Sequence, residues 1–159
     1  MEIRQVIRDS GVEAALRRAQ HLGVDVSEPL ASAGRALLTR VQLGFRRSED
    51  PYGRPWKAVR RGGQPLVDRG RLRRSFSYRV DRDGLVIGTN VRYARVHQTG
   101  AVIRAKNHPY LRFRVGGQWV RKKKVTIPAR PMLPNGTEGL PLAWQKDVDR
   151  AFAGYLEGA

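Results

Sequence analysis

The sequence SFSYRVDRDGLVIG occupies residues 75–88. Its first six residues alternate polar and apolar side chains, a pattern typical of a strand with one buried face. Asp81 to Gly84 then form a turn sequence, and a short apolar run follows. The stretch predicts an antiparallel β-hairpin, around which the rest of the chain can be placed.

A second hairpin is predicted downstream, where residues 110–115 and 118–121 flank Gly116-Gly117. Paired glycines suit a two-residue turn that requires positive φ angles. Residues 125–127 predict a further strand, and residues 128–131 an extended segment, because a residue before proline avoids the helical region. In the first strand of this hairpin, Leu111, Phe113 and Val115 are predicted to face the core. Arg112 and Arg114 alternate with them and are predicted to face solvent.

Residues 10–46 predict two amphipathic helices. Ser10 is the expected cap of the first helix, because Glu13 follows it at the spacing of a capping box. Ser27 is the expected cap of the second helix, which has Pro29 in its first turn. Apolar residues recur in the second helix with a period of 3.6, which predicts one buried face. These residues are Leu30, Ala33, Leu37, Leu38, Val41 and Phe45.

Residues 140–157 predict a closing amphipathic helix with an apolar stripe that includes Ala143 and Trp144. The order of elements predicts an α+β fold, in which a mostly antiparallel sheet of hairpins packs against the N-terminal and C-terminal helices. We expect a single domain over residues 1–159, with its α+β core at residues 65–133.

Residues 46–64 predict a basic loop. It contains the turn sequence Asp50-Pro51-Tyr52-Gly53, after which Trp56 is expected to fold back onto the core and hold the loop in place. Residues 60–63, Arg-Arg-Gly-Gly, are expected to be mobile.

Two short helices are predicted inside the core. Asp68 is the expected cap of one that runs to Ser75. The other spans residues 91–98 and is closed by Gly100, with Tyr93, Ala94 and Val96 at or near its buried side.

Charge is unevenly distributed along the 159 residues, whose net charge is +17. Residues 84–137 contain Lys and Arg but no Asp or Glu, whereas residues 1–39 are balanced and the C-terminal end is slightly acidic. Such a basic middle attracts either a phosphate backbone or an acidic protein surface.

Signals for catalysis are weak. His21, His97 and His108 lack metal-ligand spacing, and the chain has no cysteine for disulfides or thiolate sites. Ser75 and Ser77 are better explained as turn and strand hydroxyls than as nucleophiles. We therefore expect no enzyme activity, no catalytic residue, no cofactor and no metal, and the chain has no apolar run long enough for a membrane span.

Several short motifs follow one another in a fixed order. In chain order they are Phe45, Asp50-Pro51-Tyr52-Gly53-Arg54-Pro55-Trp56, Leu66-Val67-Asp68-Arg69-Gly70-Arg71-Leu72-Arg73-Arg74-Ser75, Ile87-Gly88-Thr89-Asn90-Val91-Arg92-Tyr93-Ala94, His97-Gln98-Thr99-Gly100 and Ile127-Pro128-Ala129-Arg130-Pro131-Met132-Leu133. In this order the motifs resemble the phage virion morphogenesis (tail completion) family of Mu-like and related tailed phages. In that family Phe often ends the last motif, and Met132 keeps an apolar anchor there.

The resemblance implies a structural virion protein that completes the tail and joins it to the filled head. It implies a homo-oligomeric ring, most commonly a hexamer, that contacts neck, connector and tail-tube proteins at the head–tail junction or proximal tail end after assembly in the host cytoplasm. A tail terminator ring capping the tail tube is one alternative. A second alternative is a basic DNA-binding module, because Tyr110, Phe113 and Trp119 interleave with arginines. In a ring, some arginines could also come transiently close to DNA that passes through the channel.

Two groups of residues carry these hypotheses. The predicted partner or subunit contacts are Arg54, Trp56, Arg60, Arg61, Arg69, Arg71, Arg73, Arg74, Arg112, Arg114, Arg121, Lys122, Lys123, Lys124 and Arg130. The structural signature consists of Asp68, Leu72, Tyr93, His97, Gly100 and Pro131.

Overall fold

A three-stranded antiparallel sheet lies at the centre of the computed structural model, which describes residues 3–6, 25–60, 62–81 and 84–157. Its strands are β1 (Ile3–Val6), β2 (Phe76–Asp81) and β3 (Gly84–Thr89), in the order β1-β3-β2. The predicted first hairpin is confirmed, with Phe76 opposite Thr89 and Asp81 opposite Gly84.

Strand β1 was not predicted. Ile3 pairs with Thr89 and Val6 with Val86, so β1 covers the edge of β3 that faces away from β2. A central strand needs hydrogen-bond partners on both edges, and no local pattern within four residues announces such a long-range pairing. The helix predicted from Ser10 lies outside the described residues.

Helix α1 (Ser27–Arg47) crosses this sheet. The predicted apolar face is buried, apart from the half-buried Leu38. The prediction that Ser27 caps the helix is wrong: Val26 is the N-cap residue and Ser27 lies inside. The Ser27 amide instead donates to Asp25 Oδ1 at 2.9 Å, because the carboxylate two residues earlier reaches a free N–H of the first turn.

Helix α4 (Leu142–Glu157) packs on α1 and buries Trp144 and Val148. The predicted closing helix is thus confirmed, although Ala143 is exposed and does not belong to its buried stripe. Arg40 of α1 donates to both carboxylate oxygens of Asp147, with Nε–Oδ2 at 2.6 Å and Nη2–Oδ1 at 3.1 Å. Asp147 is 9% exposed, so this bidentate pair lies at the helix–helix contact.

The predicted α+β class is confirmed, but the described strands divide among three sheets. Besides the central sheet, β4 (Ala101–Arg104) pairs with β7 (Lys124–Ile127), and β5 (Leu111–Val115) pairs with β6 (Gln118–Lys122). One hydrophobic core joins α1, the central sheet and α4. It consists of Leu30, Ala33, Leu37, Val41, Phe45, Trp56, Leu72, Phe76, Leu85, Ile87, Val91, Ala94, Met132, Leu133, Trp144 and Val148.

The prediction that the second hairpin turns one face to this core is wrong. Leu111, Phe113 and Val115 are only half-buried and none belongs to the core. Within the described part of the chain β5 and β6 pair only with each other. An alternating pattern identifies the apolar face of a ribbon, but it does not say whether another layer covers that face.

Two short helices complete the fold: α2 (Arg71–Arg74) and α3 (Ala94–Thr99). Both are shorter than predicted. No helix in the described residues is long and apolar enough to cross a bilayer.

Candidate partner-contact surface

The turn at residues 50–53 is built around the carboxylate of Asp50. Asp50 Oδ1 accepts from the backbone amides of Tyr52 and Arg54 at 2.8 and 2.9 Å, and Oδ2 accepts from Arg54 Nε at 2.8 Å. Asp50 is 7% exposed, and Gly53 takes a φ of 83° that glycine adopts without strain. The predicted turn is confirmed, and Asp50 is its organising residue, which the sequence pattern alone did not indicate.

Two side chains tie this turn to a distant segment, residues 135–139. Arg54 Nη2 contacts both carboxylate oxygens of Glu138 at 2.9 Å, and this contact holds the pKa of Glu138 below its ordinary value. Tyr52 Oη donates to Gly139 O at 2.8 Å and accepts from the Asn135 amide at 3.1 Å. Arg54, predicted as a partner contact, therefore has two carboxylates of its own chain as partners.

Trp56 folds back onto the core, as predicted, and is 7% exposed. Its ring packs edge-on against Phe45 with centroids 5.4 Å apart, and its Nε1 donates to Pro131 O at 2.9 Å. The indole therefore joins the loop to both α1 and the segment that contains Arg130 and Pro131. This placement makes Trp56 a structural residue; a direct partner contact by its buried ring remains only a prediction.

Arg130 is likewise buried, with 5% exposure. Its Nε donates to Lys57 O at 2.8 Å and its Nη2 to Ala58 O at 3.1 Å, so the guanidinium anchors the loop after Trp56. Burial lowers the pKa of Arg130 below its ordinary value. Arginine nevertheless stays charged at neutral pH.

The end of α3 fixes the position of the Arg130 segment. The Arg130 amide donates to His97 O at 2.6 Å, while Gln98 Oε1 accepts from the amides of Met132 and Leu133 at 2.8 and 3.1 Å. Gln98 Nε2 donates in return to Leu133 O at 2.7 Å. Gln98 was not predicted to be important, and only its position between His97 and Gly100 in a motif pointed to it.

Gly100 must be a glycine for two reasons. Its φ is 73°, and a Cβ atom there would lie 3.0 Å from Ala129 N and 3.1 Å from Ile127 O. The strand leading to Arg130 thus packs directly against the end of α3. Met132, the apolar anchor predicted for this motif, is buried at 3% exposure.

The arginine-rich turn of residues 69–74 has a different cap from the predicted one. Gly70 is the N-cap residue of α2, with a φ of 72°, and no side chain caps the helix. Asp68 lies two residues too early for that role and is exposed, with interactions of its own. Leu72 is buried, Arg73 is half-buried, and Arg69, Arg71 and Arg74 are exposed.

The β5–β6 hairpin presents a face on which cations and aromatic rings alternate. Arg112 and Arg114 flank the Trp119 ring, with guanidinium carbons 4.4 and 5.7 Å from its centroid, and Arg121 lies 5.0 Å from the Tyr110 ring. The pairs Arg112–Arg121 and Arg114–Trp119 are cross-strand partners, which places these side chains on one face. Arg114 also donates to Gly117 O, so the face is ordered without a partner.

Exposed apolar side chains concentrate in the same region of the chain. Val102, Ile103, Tyr110 and Trp119 are 54%, 41%, 39% and 59% exposed. Val102 and Ile103 lie on β4, and Tyr110 and Trp119 belong to the hairpin, so exposed apolar side chains occur on two neighbouring segments of the chain. Tyr93 was predicted to lie at or near the buried side of its helix, but it is 44% exposed. It is the N-cap residue of α3, and its ring contacts the His97 ring edge-on.

The predicted contact residues therefore divide into three settings. Arg112, Arg114 and Arg121 share the hairpin face, and the exposed Lys122, Lys123 and Lys124 continue from it. Arg71, Arg73 and Arg74 lie in α2 and Arg69 shortly precedes it, whereas Arg54, Trp56 and Arg130 hold the fold together. Arg60 is exposed, and Arg61 lies outside the described residues.

A model of the phage virion morphogenesis family matches residues 7–147. The chain is also similar to the Mu-like prophage FluMu G protein 2 of Haemophilus influenzae, with 36% identity over 110 residues that cover 65% of this chain and 68% of that protein. No solved structure matches it.

Proposed function

This chain belongs to the phage virion morphogenesis family, and we propose that it completes the tail and joins it to the head as the subunit of a neck or tail-end ring. Family membership gives it a structural role in building the virion. The position in the neck, the ring and its hexameric state are our proposal.

The exposed apolar side chains on β4 and on the β5–β6 hairpin are the observation that favours an assembling subunit. Trp119 is more than half exposed yet is ordered by two arginines, and Val102 and Ile103 lie exposed on β4. Trp, Tyr and Arg are the residues most enriched at the energetic centres of protein interfaces. The Trp119 ring already contacts two arginine side chains in the unbound chain, and such preorganised contacts reduce the entropy that binding costs.

Charge restricts the chemistry of that partner. The chain carries 31 basic and 14 acidic residues, and the region around the hairpin contains no acidic residue from Gly84 to Thr137. Copies of such a subunit repel one another unless basic and acidic patches meet head to tail. We propose that the hairpin face docks on an acidic surface of a neck, connector or tail-tube protein.

Two alternatives remain as distinct functions. A tail terminator ring capping the tail tube would use the same hairpin face on a different partner. A DNA-binding module would use the arginines on phosphates and Trp119 as a stacking surface. Each predicts a different binding partner for the same residues.

The deciding experiment measures the mass of the purified protein by light scattering at moderate and high salt, with and without duplex DNA. A discrete ring-sized species, or one that forms only with neck or tail proteins of the same phage, supports the proposal. A monomer that binds duplex DNA, with an affinity that falls steeply as salt rises, would replace it with the DNA-binding function.

A matched pair of variants tests the surface itself. Trp119→Ser removes the exposed ring of the hairpin, and Leu142→Ser removes an exposed leucine, 66% accessible, at the start of α4. We expect Trp119→Ser to weaken assembly by about tenfold or more, as loss of an interface hot spot does, and Leu142→Ser to leave it unchanged. Equal behaviour of the two variants would exclude the hairpin face as the docking surface.

A further inference from the structure

A cleft of about 450 Å³ opens between the loop after Trp56, the α2 turn and the start of α3. Both apolar and charged side chains line it. Its lining consists of Val59, Leu66, Asp68, Arg69, Gly70, Arg71, Leu72, Tyr93, His97 and Arg130. The lining thus carries three guanidinium groups and one carboxylate, an excess of positive charge in a concave site.

Arg130 is the most unusual group in the cleft. It is 5% exposed, and its hydrogen-bond acceptors among the described residues are two backbone carbonyls, Lys57 O and Ala58 O. No carboxylate of the described chain lies within ion-pair distance of it. Buried charges in proteins are normally paired, because removing an unpaired charge from water is costly.

The geometry of the guanidinium leaves one edge available. Nε and Nη2 donate to the two carbonyls, which occupies the edge that these two nitrogens form. The opposite edge, formed by Nη1 and Nη2, has the spacing that a carboxylate matches with two parallel hydrogen bonds. Arg130 lines the cleft, so a ligand there can approach it.

His97 supplies a second unsatisfied group in the same cleft. Its Nδ1 is buried and has no hydrogen-bond partner among the described residues. Burial, and after it the charge of Arg130, lower the pKa of His97 below its ordinary value. A carboxylate between the two would pair the cation and accept a hydrogen bond from the imidazole.

We propose that this cleft binds a carboxylate, presented by an Asp or Glu side chain of a neighbouring polypeptide in the virion. Leu66 and Leu72, which also line the cleft, provide apolar contacts for the aliphatic part of that side chain. Asp68 lines the cleft as well, and its negative charge repels a dianion such as phosphate more strongly than a singly charged acid. The proposal that the cleft binds a carboxylate rests on the cleft alone. Only the proposal that a virion polypeptide presents this carboxylate rests on the proposed function.

The test uses the whole protein and sodium acetate as the probe, with sodium chloride and inorganic phosphate at equal ionic strength as controls. The imidazole resonances of His97 are followed by NMR at neutral pH, and the exposed His108 serves as an internal reference. We expect a saturable shift of the His97 resonances with acetate, half-complete in about the millimolar range, and a rise in the pKa of His97. Neither chloride nor phosphate should reproduce it.

Two variants assign the response to the cleft. Arg130→Gln removes the charge and the Nη1–Nη2 edge but keeps one amide donor near the position of Nε, and it should abolish the acetate response. Because Arg130→Gln also changes a buried residue, Arg71→Ala is the second variant. The Arg71 side chain is exposed, so folding should persist while acetate binding weakens several-fold. A His97 response no larger than that of His108, or one as large with phosphate as with acetate, would overturn the proposal. Failure of ring assembly in light scattering would not affect this readout.

Discussion

Replacing Asp147 by Asn removes one negative charge from the contact between α1 and α4 and leaves the shape of the side chain almost unchanged. The carboxylate is 9% exposed and accepts two hydrogen bonds from Arg40, at 2.6 and 3.1 Å. In the variant Oδ1 still accepts from Nη2, but the atom that replaces Oδ2 is an amide nitrogen and cannot accept from Nε. Arg40 then retains its charge without a counter-ion.

The cost follows from these contacts. A hydrogen bond to a charged group contributes about 1.5–3 kcal/mol, and breaking a fully buried ion pair costs about 3–5 kcal/mol. The Arg40 side chain is 32% exposed, so water partly replaces the lost partner. We therefore expect a loss of about 2 kcal/mol in the free energy of unfolding, or about 4–8 °C in Tm for a domain of this size.

The effect should depend on pH in one direction. The hydrogen bonds from Arg40 hold the pKa of Asp147 below its ordinary value. Its stabilisation is therefore fully present above the unfolded-state pKa of about 3.9 and is lost as the pH falls through the lower folded-state pKa. The difference between the native protein and Asp147→Asn should be constant near neutral pH and shrink in acid.

Urea unfolding followed by circular dichroism at several pH values measures both quantities. Asp149→Asn is the matched control, since it removes the same charge from the exposed side of the same helix and should cost less than about 0.5 kcal/mol. Equal stabilities of the two variants near neutral pH, or a difference that persists unchanged in strong acid, would refute the assignment of this ion pair.

Two further substitutions test the packing. Trp56→Phe removes the Nε1 donor to Pro131 O and part of the contact with Phe45. We expect urea unfolding to show a loss of about 2 kcal/mol in the free energy of unfolding. An unchanged free energy would show that the indole hydrogen bond is dispensable. Gly34→Ala should lower the free energy of unfolding, although alanine favours helices by about 1 kcal/mol, because its Cβ would overlap the Tyr78 ring. In a Tyr78→Leu background the same substitution should become stabilising, and destabilisation there would contradict the steric explanation.

Local patterns were sufficient for the elements whose signals lie within a few residues. The alternation around Tyr78, the period that links Leu30 to Phe45, and the paired glycines at residues 116–117 each placed an element correctly. The α+β class follows from their order. The helix caps were predicted incorrectly. Ser27 and Asp68 are residue types that often cap helices, but in the structure Val26 and Gly70 occupy the N-cap positions.

The sequence predicted which residues form the proposed contact surface, but it did not predict how they are arranged. The arginines of the hairpin were identified, yet the half-buried, uncovered state of Phe113 was not, because alternation says nothing about a covering layer. Arg54 and Arg130 were predicted as partner contacts from their charge, and charge alone did not show that Arg54 also pairs with a carboxylate far along the chain or that Arg130 also donates to backbone carbonyls.

The sequence by itself determined the fold class, the family and the basic character of the middle of the chain. Periodicity, turn chemistry and charge are properties of neighbouring residues, so they can be read without coordinates. Only the tertiary structure decided that the motifs around Trp56, Gln98 and Arg130 join one another, and that β1 closes the central sheet. These contacts connect residues tens of positions apart, and their energies depend on distances and burial that no local pattern specifies.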